Sequence, residues 1–578
     1  MTIDTQSSSP FLKGGLWPAA LAGIFTFLVF SPVLFNDFVN WDDEANFLMN
    51  AHYRGLGLSQ LKWMFTTLHM GHYMPLTWLS CGLDFTLWGM NPSGYHLTSL
   101  VLHSLGAALF CLIALFLLRF TLKGHDDLDL RMAAVFGALF FAVHPLRAES
   151  VAWATERRDV LSGVFVFGSL LCYMRHAAGE AGKNFKRRAL ALFACAILSR
   201  ENSAAFMPAL LLLEIWPFGR LPANPLRWGE KQYRPVLAEK LPFFFLAVFG
   251  TIMASAATIY SLPPEGAFPV PAAQRAALFV YGLAFYIRKT VLPFNLAPLY
   301  EIGPGFGVLS AQVLGSLALV AALGAAIILL RKKYPGLAAA GLLYVLFLLP
   351  TMGIAHTLSM VYDRYSYSAC LGWAACAAGG AALLLKWGGP SGEGFNLRRV
   401  VLACLLAGCV LNFALLSFFQ SMVWRNSLTL WTHTINVVPG PNESAYLNRG
   451  QELLRRGNFA AALKDYNHVL ELNPHASDAY LNRAVARQNL GELDGAAEDF
   501  DTAWRLDSSN LRALFGRGLL ALERGRAKEA ADDFTFLLNV NFMKAPVLAA
   551  RSRAYQALGR SAEALADSDA AEALAAPR

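Results

Sequence analysis

Residues 15–47 read GLWPAALAGIFTFLVFSPVLFNDFVNWDDEANF. Residues 15–35 form one apolar stretch that is long enough to cross a bilayer as a helix. The acidic run Asp42-Asp43-Glu44 follows closely, between aromatic side chains that suit the lipid headgroup region. Because carboxylates are costly to desolvate beside a membrane, this run indicates a site. A polar loop that only ends the span is the alternative.

Composition excludes a water-soluble globule for the first 420 or so residues. The chain has 578 residues, of which 56% are hydrophobic and 15% are charged, and its mean hydropathy is +0.41. We divide it into a tail at 1–14, a polytopic membrane domain at 15–420 with its first external loop at 36–94, a linker at 421–442 and a C-terminal module. About eleven to thirteen crossings are predicted by apolar stretches near 15–35, 95–118, 132–148, 160–177, 189–217, 241–260, 276–296, 310–330, 336–356, 366–385 and 400–420.

The net charge of +8 does not indicate nucleic-acid binding, because the basic residues are not gathered into one patch. They mark loops, such as those at 186–188 and 331–333, which the positive-inside rule assigns to the cytoplasm. We therefore expect a bacterial-type inner membrane protein with a cytoplasmic N-terminus and an extracytoplasmic acidic loop. The stretch 276–296 carries two basic residues, and we expect it to be re-entrant because a full crossing would turn 331–333 outward.

The cysteines predict neither a disulfide framework nor a metal site. Seven of the eight lie in apolar stretches and only Cys81 lies in a loop. At the N-terminus, residues 1–10 lack a charged region and a clear cleavage site, so we expect the first span to be an uncleaved anchor.

The C-terminal module repeats every 34 residues, a period typical of tetratricopeptide repeats. Each unit offers two amphipathic helices with a glycine at the turn between them. We predict four units, at 443–476, 477–510, 511–544 and 545–578, that stack into a solenoid. The repeating positions are Tyr446, Tyr480, Leu514 and Leu548; Gly457, Gly491, Gly525 and Gly559; Ala462, Ala496, Ala530 and Ala564; and Asp465, Asp499, Asp533 and Asp567.

The fourth unit is degenerate, with Ser568 at the aromatic position, as expected of a terminal cap. The period identifies an interaction surface and no chemistry. Because the basic loop before the last predicted span is expected to be cytoplasmic, that span ends outside the cytoplasm. The repeats then lie in the same compartment as the acidic loop, where they would hold a polypeptide acceptor or a partner protein. The predicted fold class is therefore all-α, a helical membrane domain followed by an α-solenoid.

Motifs along the membrane part resemble those of the transmembrane and tetratricopeptide repeat O-mannosyltransferases and their bacterial relatives. The resemblance spans the chain, and the motifs occur in the same order. They are Phe38 through Asn50, His72-Tyr-Met-Pro-Leu76, Trp88-Gly-Met-Asn-Pro92, Tyr95-His96 with His103, His144-Pro-Leu-Arg-Ala-Glu149, Arg157-Arg-Asp-Val-Leu161, Ser199-Arg-Glu201, Tyr286-Ile-Arg-Lys289 with Pro293, and Asp363-Arg-Tyr-Ser-Tyr367.

This resemblance implies the C-type glycosyltransferase fold, a polyprenyl-phosphate sugar as donor, and a hexose, mannose first, as the sugar. It also implies an extracytoplasmic hydroxyl as acceptor, on protein Ser or Thr, and an acidic base in the first external loop. The chain departs from the family at Arg200, where Lys is usual, and at Thr98, where Asn is frequent. An additional residue within Asn40-Trp41 leaves open whether Asp42 or Asp43 takes the catalytic position.

Transfer from a lipid phosphate to a hydroxyl needs a base for the proton and cations for the phosphate. Asp42 or Asp43 is the candidate base. Arg157, Arg200, Lys289 and Arg364 are the candidate phosphate ligands. Snorkelling of Arg157 or Arg158 and an internal pairing of Asp363 with Arg364 are the alternatives. Candidate acceptor or sugar contacts are Glu44, His72, Tyr73, His96, Glu149 and Glu201.

We expect no required metal, because the histidines lack the close spacing of a ligand set, although a divalent cation at His69, His72, His96 or His103 stays open. Two other classes compete with the enzyme. One is a membrane scaffold whose repeats recruit partners for envelope polymer assembly or export. The other is a secondary transporter, which we disfavour because the ionisable residues gather at span ends and no half-to-half repeat is evident.

Overall fold

The computed structural model describes residues 11–180, 184–261, 271–303, 305–351, 360–389 and 396–575. The chain forms two compact units, one up to Asn426 and one from Ser427 onward. Both are built from α-helices, and the strands of the described residues, β1 Tyr300–Glu301 and β2 Met360–Val361, form one short antiparallel pair.

The membrane unit contains seventeen α-helices among its described residues. Helices α4, α5 and α7 pack together, with α1 against α4 and α16 against α5. The bounds are α1 Leu16–Phe30, α2 Leu58–Thr66, α3 Pro75–Trp88, α4 Pro92–Thr121, α5 Asp127–Ala142, α6 Ala148–Ala152, α7 Arg157–Ala177, α8 Phe185–Ser199, α9 Phe206–Ile215, α10 Arg234–Ala238, α11 Leu241–Ser261, α12 Ala272–Val291, α13 Ala311–Leu330, α14 Pro335–Leu348, α15 Ser366–Ala369, α16 Leu371–Trp387 and α17 Leu397–Val423.

Small residues let these helices approach closely, as is usual in membrane bundles. A Cβ added at Gly137 of α5 would lie 2.5 Å from the Cβ of Ala378 on α16. One added at Gly372 of α16 would lie 2.9 Å from the Cα of Ala340 on α14. Glycine and alanine at these positions therefore allow the short distances between the neighbouring helices.

Six helical segments of the described residues are long and apolar enough to cross a membrane, or eight if each of two bent pairs is one span. The sequence predicts eleven to thirteen crossings, because it counts shorter apolar stretches that the structure divides, such as α8 and α9. Helix α12 occupies the stretch that we predicted to be re-entrant, and whether it crosses stays a prediction. The six segments are Leu16–Phe35, Pro92–Thr121, Ala154–Ala177, Arg234–Ser261, Ala311–Leu330 and Leu397–Val423.

The second unit begins with α18, Ser427–Val437, inside the stretch 421–442 that the sequence predicts to be a linker. Four helix pairs follow, one for each predicted repeat. Their bounds are α19 Glu443–Arg455, α20 Phe459–Leu472, α21 Ser477–Asn489, α22 Leu493–Leu506, α23 Leu511–Glu523, α24 Ala527–Asn539, α25 Lys544–Ala557 and α26 Ser561–Ala575.

Two kinds of small residue recur with the 34-residue period, one at the turn between paired helices and one where the paired helices cross. The turn glycine between paired helices has a left-handed φ, for example +75° at Gly457 and +76° at Gly525, which other residues adopt only with strain. Where paired helices cross, a Cβ added at Gly518 would lie 2.7 Å from the ring of Phe534. The predicted all-α solenoid is present in the structure.

A charged ladder also joins the repeats. Arg483 of α21 forms a two-point pair with Asp499 of α22, and its Nη1 reaches back 2.8 Å to Oδ1 of Asn467 in the repeat before. Arg551 pairs with Asp567 and reaches Thr535 in the same way. Each arginine therefore ties its own helix pair together and to the preceding one.

Candidate active site

A short 3-10 helix, Ser31–Phe35, follows α1, and the acidic loop then continues in extended conformation and is fixed at both ends. At its start, the backbone N–H of Asp37 donates to the carbonyl of Arg425 at 2.9 Å. The loop then closes into a short π-helix, Glu44–Leu48. Arg54 donates to the carbonyls of Phe47 and Leu48, at 3.0 and 2.8 Å, and so satisfies the end of this turn.

Asp43 is turned into the protein and is 0% exposed. Its Oδ2 accepts from the backbone N–H of Val39 at 3.0 Å. Its Oδ1 accepts from the backbone N–H and the hydroxyl of Thr155, at 3.0 and 2.7 Å. Burial raises the pKa of Asp43 to about 7, against these hydrogen bonds, which lower it. Both carboxylate oxygens are engaged, so Asp43 holds the loop in place.

Asp42 lies in a different environment, although it is the neighbouring residue. No hydrogen bond of the described residues engages its carboxylate, and its electrostatic partners are Arg364, Arg158, Glu156 and His72. Burial raises the pKa of Asp42, and the two arginines oppose that shift. A partly buried carboxylate with cations as electrostatic partners can accept a proton from a bound hydroxyl.

The cations beside Asp42 are organised around Glu156, whose side chain is fully buried. Arg158 lies 2.6 Å from Glu156 Oε1, and Arg200 lies 3.2 Å from Glu156 Oε2. Arg364 approaches Oε1 at 3.2 Å. Arg200 also contacts Asp159. One carboxylate thus holds three guanidinium groups together, although they come from distant positions in the sequence. Without the negative charge of Glu156, the three positive charges would repel one another.

Arg364 is also fixed by Glu149. Its Nη1 lies 2.6 Å from Glu149 Oε1, and its backbone N–H donates to Oε2 at 2.8 Å. The pairing of Arg364 with Asp363, which the sequence left open, is not formed, since Asp363 instead accepts from the hydroxyl of Tyr300 at 3.0 and 3.1 Å. A guanidinium has five N–H donors, so these pairs hold Arg364 in place without using all of them.

Arg157, which the sequence predicts as a phosphate ligand, is not part of this cluster. It is 1% exposed and lies at the first position of α7. Its guanidinium lies 2.7 Å from Asp84 and donates to Ser99 Oγ, Ser80 Oγ and the carbonyl of Tyr95. Four contacts within the protein thus engage Arg157, whereas its neighbour Arg158 lies in the cluster around Glu156.

The other predicted residues divide between the cluster and its surroundings. His72 is 35% exposed, its Nδ1 lies 2.8 Å from Oε1 of Glu201, and it is an electrostatic partner of Asp42. Lys289 donates to the carbonyls of Phe294 and Asn295, at 2.6 and 2.9 Å, and so closes its own loop. Of the remaining three, Tyr73 donates to the carbonyl of Phe65 at 3.2 Å, His96 is fully buried in α4, and Glu44 begins the π-helix.

A cleft opens beside the cluster, with Arg200 and Arg364 in its wall. Asn202, Ser203 and Tyr365 add polar groups to the same wall. Such a set of donors suits an anionic ligand that is held by two cations and oriented by neutral groups. Within the described parts of the chain, no three His, Cys, Asp or Glu side chains come together as a metal site would require.

Three residues of this arrangement escaped prediction: Thr155, Glu156 and Asp159. They surround the Arg157-Arg158 pair in sequence, and a run of alternating charge directly before an apolar stretch was the available signal. The partners of Thr155 are Asp43 and Asn46, which lie 112 and 109 residues away, and no sequence pattern identifies such contacts.

Comparison with known proteins agrees with the motifs. A tetratricopeptide repeat family model matches residues 447–510 and 483–535. The chain is 25% identical to protein O-mannosyl-transferase TMTC1 of Homo sapiens over 70% of its length and 48% of that protein. It is 29% identical to protein O-mannosyl-transferase tmtc2 of Xenopus laevis over 38% of its length and 26% of that protein.

A third relative, protein O-mannosyl-transferase F38B6.6 of Caenorhabditis elegans, is 22% identical over 79% of the chain and 61% of that protein. The chain thus matches half or less of the first two relatives and under two thirds of the third. The resemblance to the transmembrane and tetratricopeptide repeat O-mannosyltransferases is confirmed.

Proposed function

We propose that this protein is an integral-membrane glycosyltransferase that moves a hexose from a polyprenyl-phosphate donor to a hydroxyl of an extracytoplasmic acceptor. The observation that carries the proposal is the position of Asp42, a partly buried carboxylate that no hydrogen bond of the described residues engages and whose electrostatic partners include Arg364 and Arg158. A base and cations in one site are what this transfer needs. The names of the relatives make mannose the first candidate for the sugar and protein the first candidate for the acceptor.

In the reaction, the acceptor oxygen attacks the anomeric carbon of the sugar, and the bond from that carbon to the phosphate oxygen breaks. The acceptor proton passes to Asp42, and the polyprenyl phosphate leaves. Arg364 and Arg200 line the cleft and can neutralise the charge that develops on the leaving phosphate. Their pairing with Glu149, Glu156 and Asp159 fixes them before the substrate binds, so little reorganisation is needed.

His72 and Glu201 form a hydrogen-bonded pair close enough to Asp42 for His72 to affect its charge. We assign this pair to contacts with the sugar or acceptor hydroxyls. By the positive-inside rule we place the N-terminus in the cytoplasm and the acidic loop and the repeats outside. The repeats suit the binding of a polypeptide acceptor or a partner protein.

The test is transfer of labelled sugar from a panel of polyprenyl-phosphate donors by the purified full-length protein. We expect product from wild type, and a rate at least about 100-fold lower for Asp42→Asn, because the base is removed. The matched control is Asp37→Asn, which neutralises an exposed carboxylate of the same loop. If folded wild type consumes no donor in the presence of protein acceptors, the scaffold function becomes the better explanation.

A further inference from the structure

An apolar groove lies between four helices of the membrane unit, away from the acidic loop. It is formed by the last turns of α4 and α9, the first turns of α14 and most of α16. Its volume is about 500 Å³, which is in the range of pockets that take small molecules. The site described above uses none of its lining residues.

The wall of the groove is hydrocarbon over most of its length. Leu117, Leu212, Leu343 and Leu383 supply the larger side chains. Gly379 lies in the wall, and a Cβ added there would meet no atom within 4 Å, so the groove is empty space next to the helix backbone. An extended alkyl chain fits such a surface, and a polar ligand does not.

One end of the groove is polar and cationic. Lys333 lines it, together with Tyr334 and Trp216, and it follows two further exposed cations, Arg331 and Lys332. Tryptophan, tyrosine and lysine together are typical of the headgroup level of a membrane. The end of the groove therefore offers positive charge at the depth where a lipid phosphate lies.

We infer that the groove binds an anionic phospholipid, with an acyl chain along α16 and the phosphate at Lys333. Charge selects this occupant. A prenyl chain that entered from the arginine cleft would bring its uncharged end to Lys333, whereas a phospholipid brings a phosphate there. Basic pockets between membrane helices on the cytoplasmic side are a known form of anionic headgroup site. The inference is independent of the catalytic proposal.

The experiment is native mass spectrometry of the full-length protein titrated with phosphatidylglycerol and with phosphatidylcholine of the same acyl chains. We expect wild type to bind phosphatidylglycerol more tightly. Lys333→Gln should weaken that binding about fivefold, as expected for one cation at a membrane surface. The control is Lys231→Gln, which removes an exposed lysine that does not line the groove, and it should change the binding little.

A second pair of variants tests the hydrocarbon part. Gly379→Leu should fill the groove and weaken binding of both phospholipids. Gly408→Leu adds the same group at a position on α17 that is equally open but outside the groove, and it should have no such effect. Equal binding of the two phospholipids by wild type would overturn the inference. So would one-for-one displacement by polyprenyl phosphate that Lys333→Gln leaves unchanged, since the groove would then hold the donor chain.

Discussion

Asp42 and Asp43 are adjacent in sequence and have different surroundings. Asp43 accepts three hydrogen bonds within the protein, whereas the Asp42 carboxylate is free of hydrogen bonds from the described residues and interacts with Arg364 and Arg158. The sequence does not show which of the two is the candidate base. Adjacent side chains point in different directions, but only the folded structure shows which of them lies near the arginines. The structure makes Asp42 the candidate base and Asp43 the anchor.

Asp43→Asn should lower the stability of the folded protein, because the amide nitrogen would face either the N–H of Val39 or the donors of Thr155. An unpaired buried donor costs about 1–3 kcal/mol. The measurement is the thermal unfolding of wild type, Asp43→Asn and Asp37→Asn in the same detergent. An equal unfolding temperature for all three would contradict the anchoring role.

The stability contribution of Asp43 should also depend on pH. Its folded-state pKa is raised from 3.8 to about 7. The folded state therefore retains a proton that the unfolded state has lost, and the free energy of unfolding falls as pH rises through that window. Wild type should lose more stability than Asp43→Asn between the lower and upper limits of this window. Parallel stability curves for the two proteins would show that the pKa is not raised.

Catalysis should depend on pH through Asp42. Burial raises its pKa above the ordinary value of 3.8, and a general base works in its deprotonated form. The rate of transfer should therefore fall as pH decreases, with a midpoint above that of an exposed aspartate. The pH profile of kcat/KM for wild type tests this, with the low residual rate of Asp42→Asn expected to lack the same midpoint.

Among the structural elements, the repeats were the easiest to predict, because one period fixes the turn glycine, the crossing residue and the buried alanines together. The position of α18 was not predictable in this way, since it precedes the first repeat and has no counterpart in the period. The contacts of the charged residues at the start of helix α7, in contrast, could not be predicted from the sequence. The sequence placed charges at its first turn, but only the packed structure shows that Arg157 faces Asp84 and Arg158 faces Glu156.

Gly518→Val should destabilise the third repeat, because a Cβ at that position would lie 2.7 Å from the ring of Phe534. Overpacking of this kind costs about 1–3 kcal/mol. We expect faster proteolysis within the stretch 511–544 of the full-length protein. Lys528→Val places the same side chain at an exposed position of the partner helix and should leave the cleavage pattern close to that of wild type.

For the molecule as a whole, the positive-inside rule makes a topological prediction. A cysteine at the exposed Ser59, in the first external loop, should react with a membrane-impermeant maleimide in intact cells. A cysteine at Lys332 should react only after the membrane is permeabilised, because its loop is predicted to be cytoplasmic. The reverse pattern would invert the orientation and move the acidic loop to the cytoplasm.

The sequence predicts a membrane part followed by a repeat module. The hydropathy of the sequence does not fix the number of membrane crossings. Short helices such as α8 and α9 are apolar yet stop at Ser199 and Ile215, and the charges between them belong to the cluster. Hydropathy cannot distinguish a broken helix that lines a cleft from two complete spans.

Thr155, which holds Asp43, is separated from Arg158 by only two residues. Asp43, the neighbour of Asp42, and Arg158, one of the three cations, are therefore both attached to the short segment 155–158 at the beginning of α7. A shift of that end of α7 should therefore carry Asp42 and Arg158 together, whereas Arg200 and Arg364 belong to other segments of the chain.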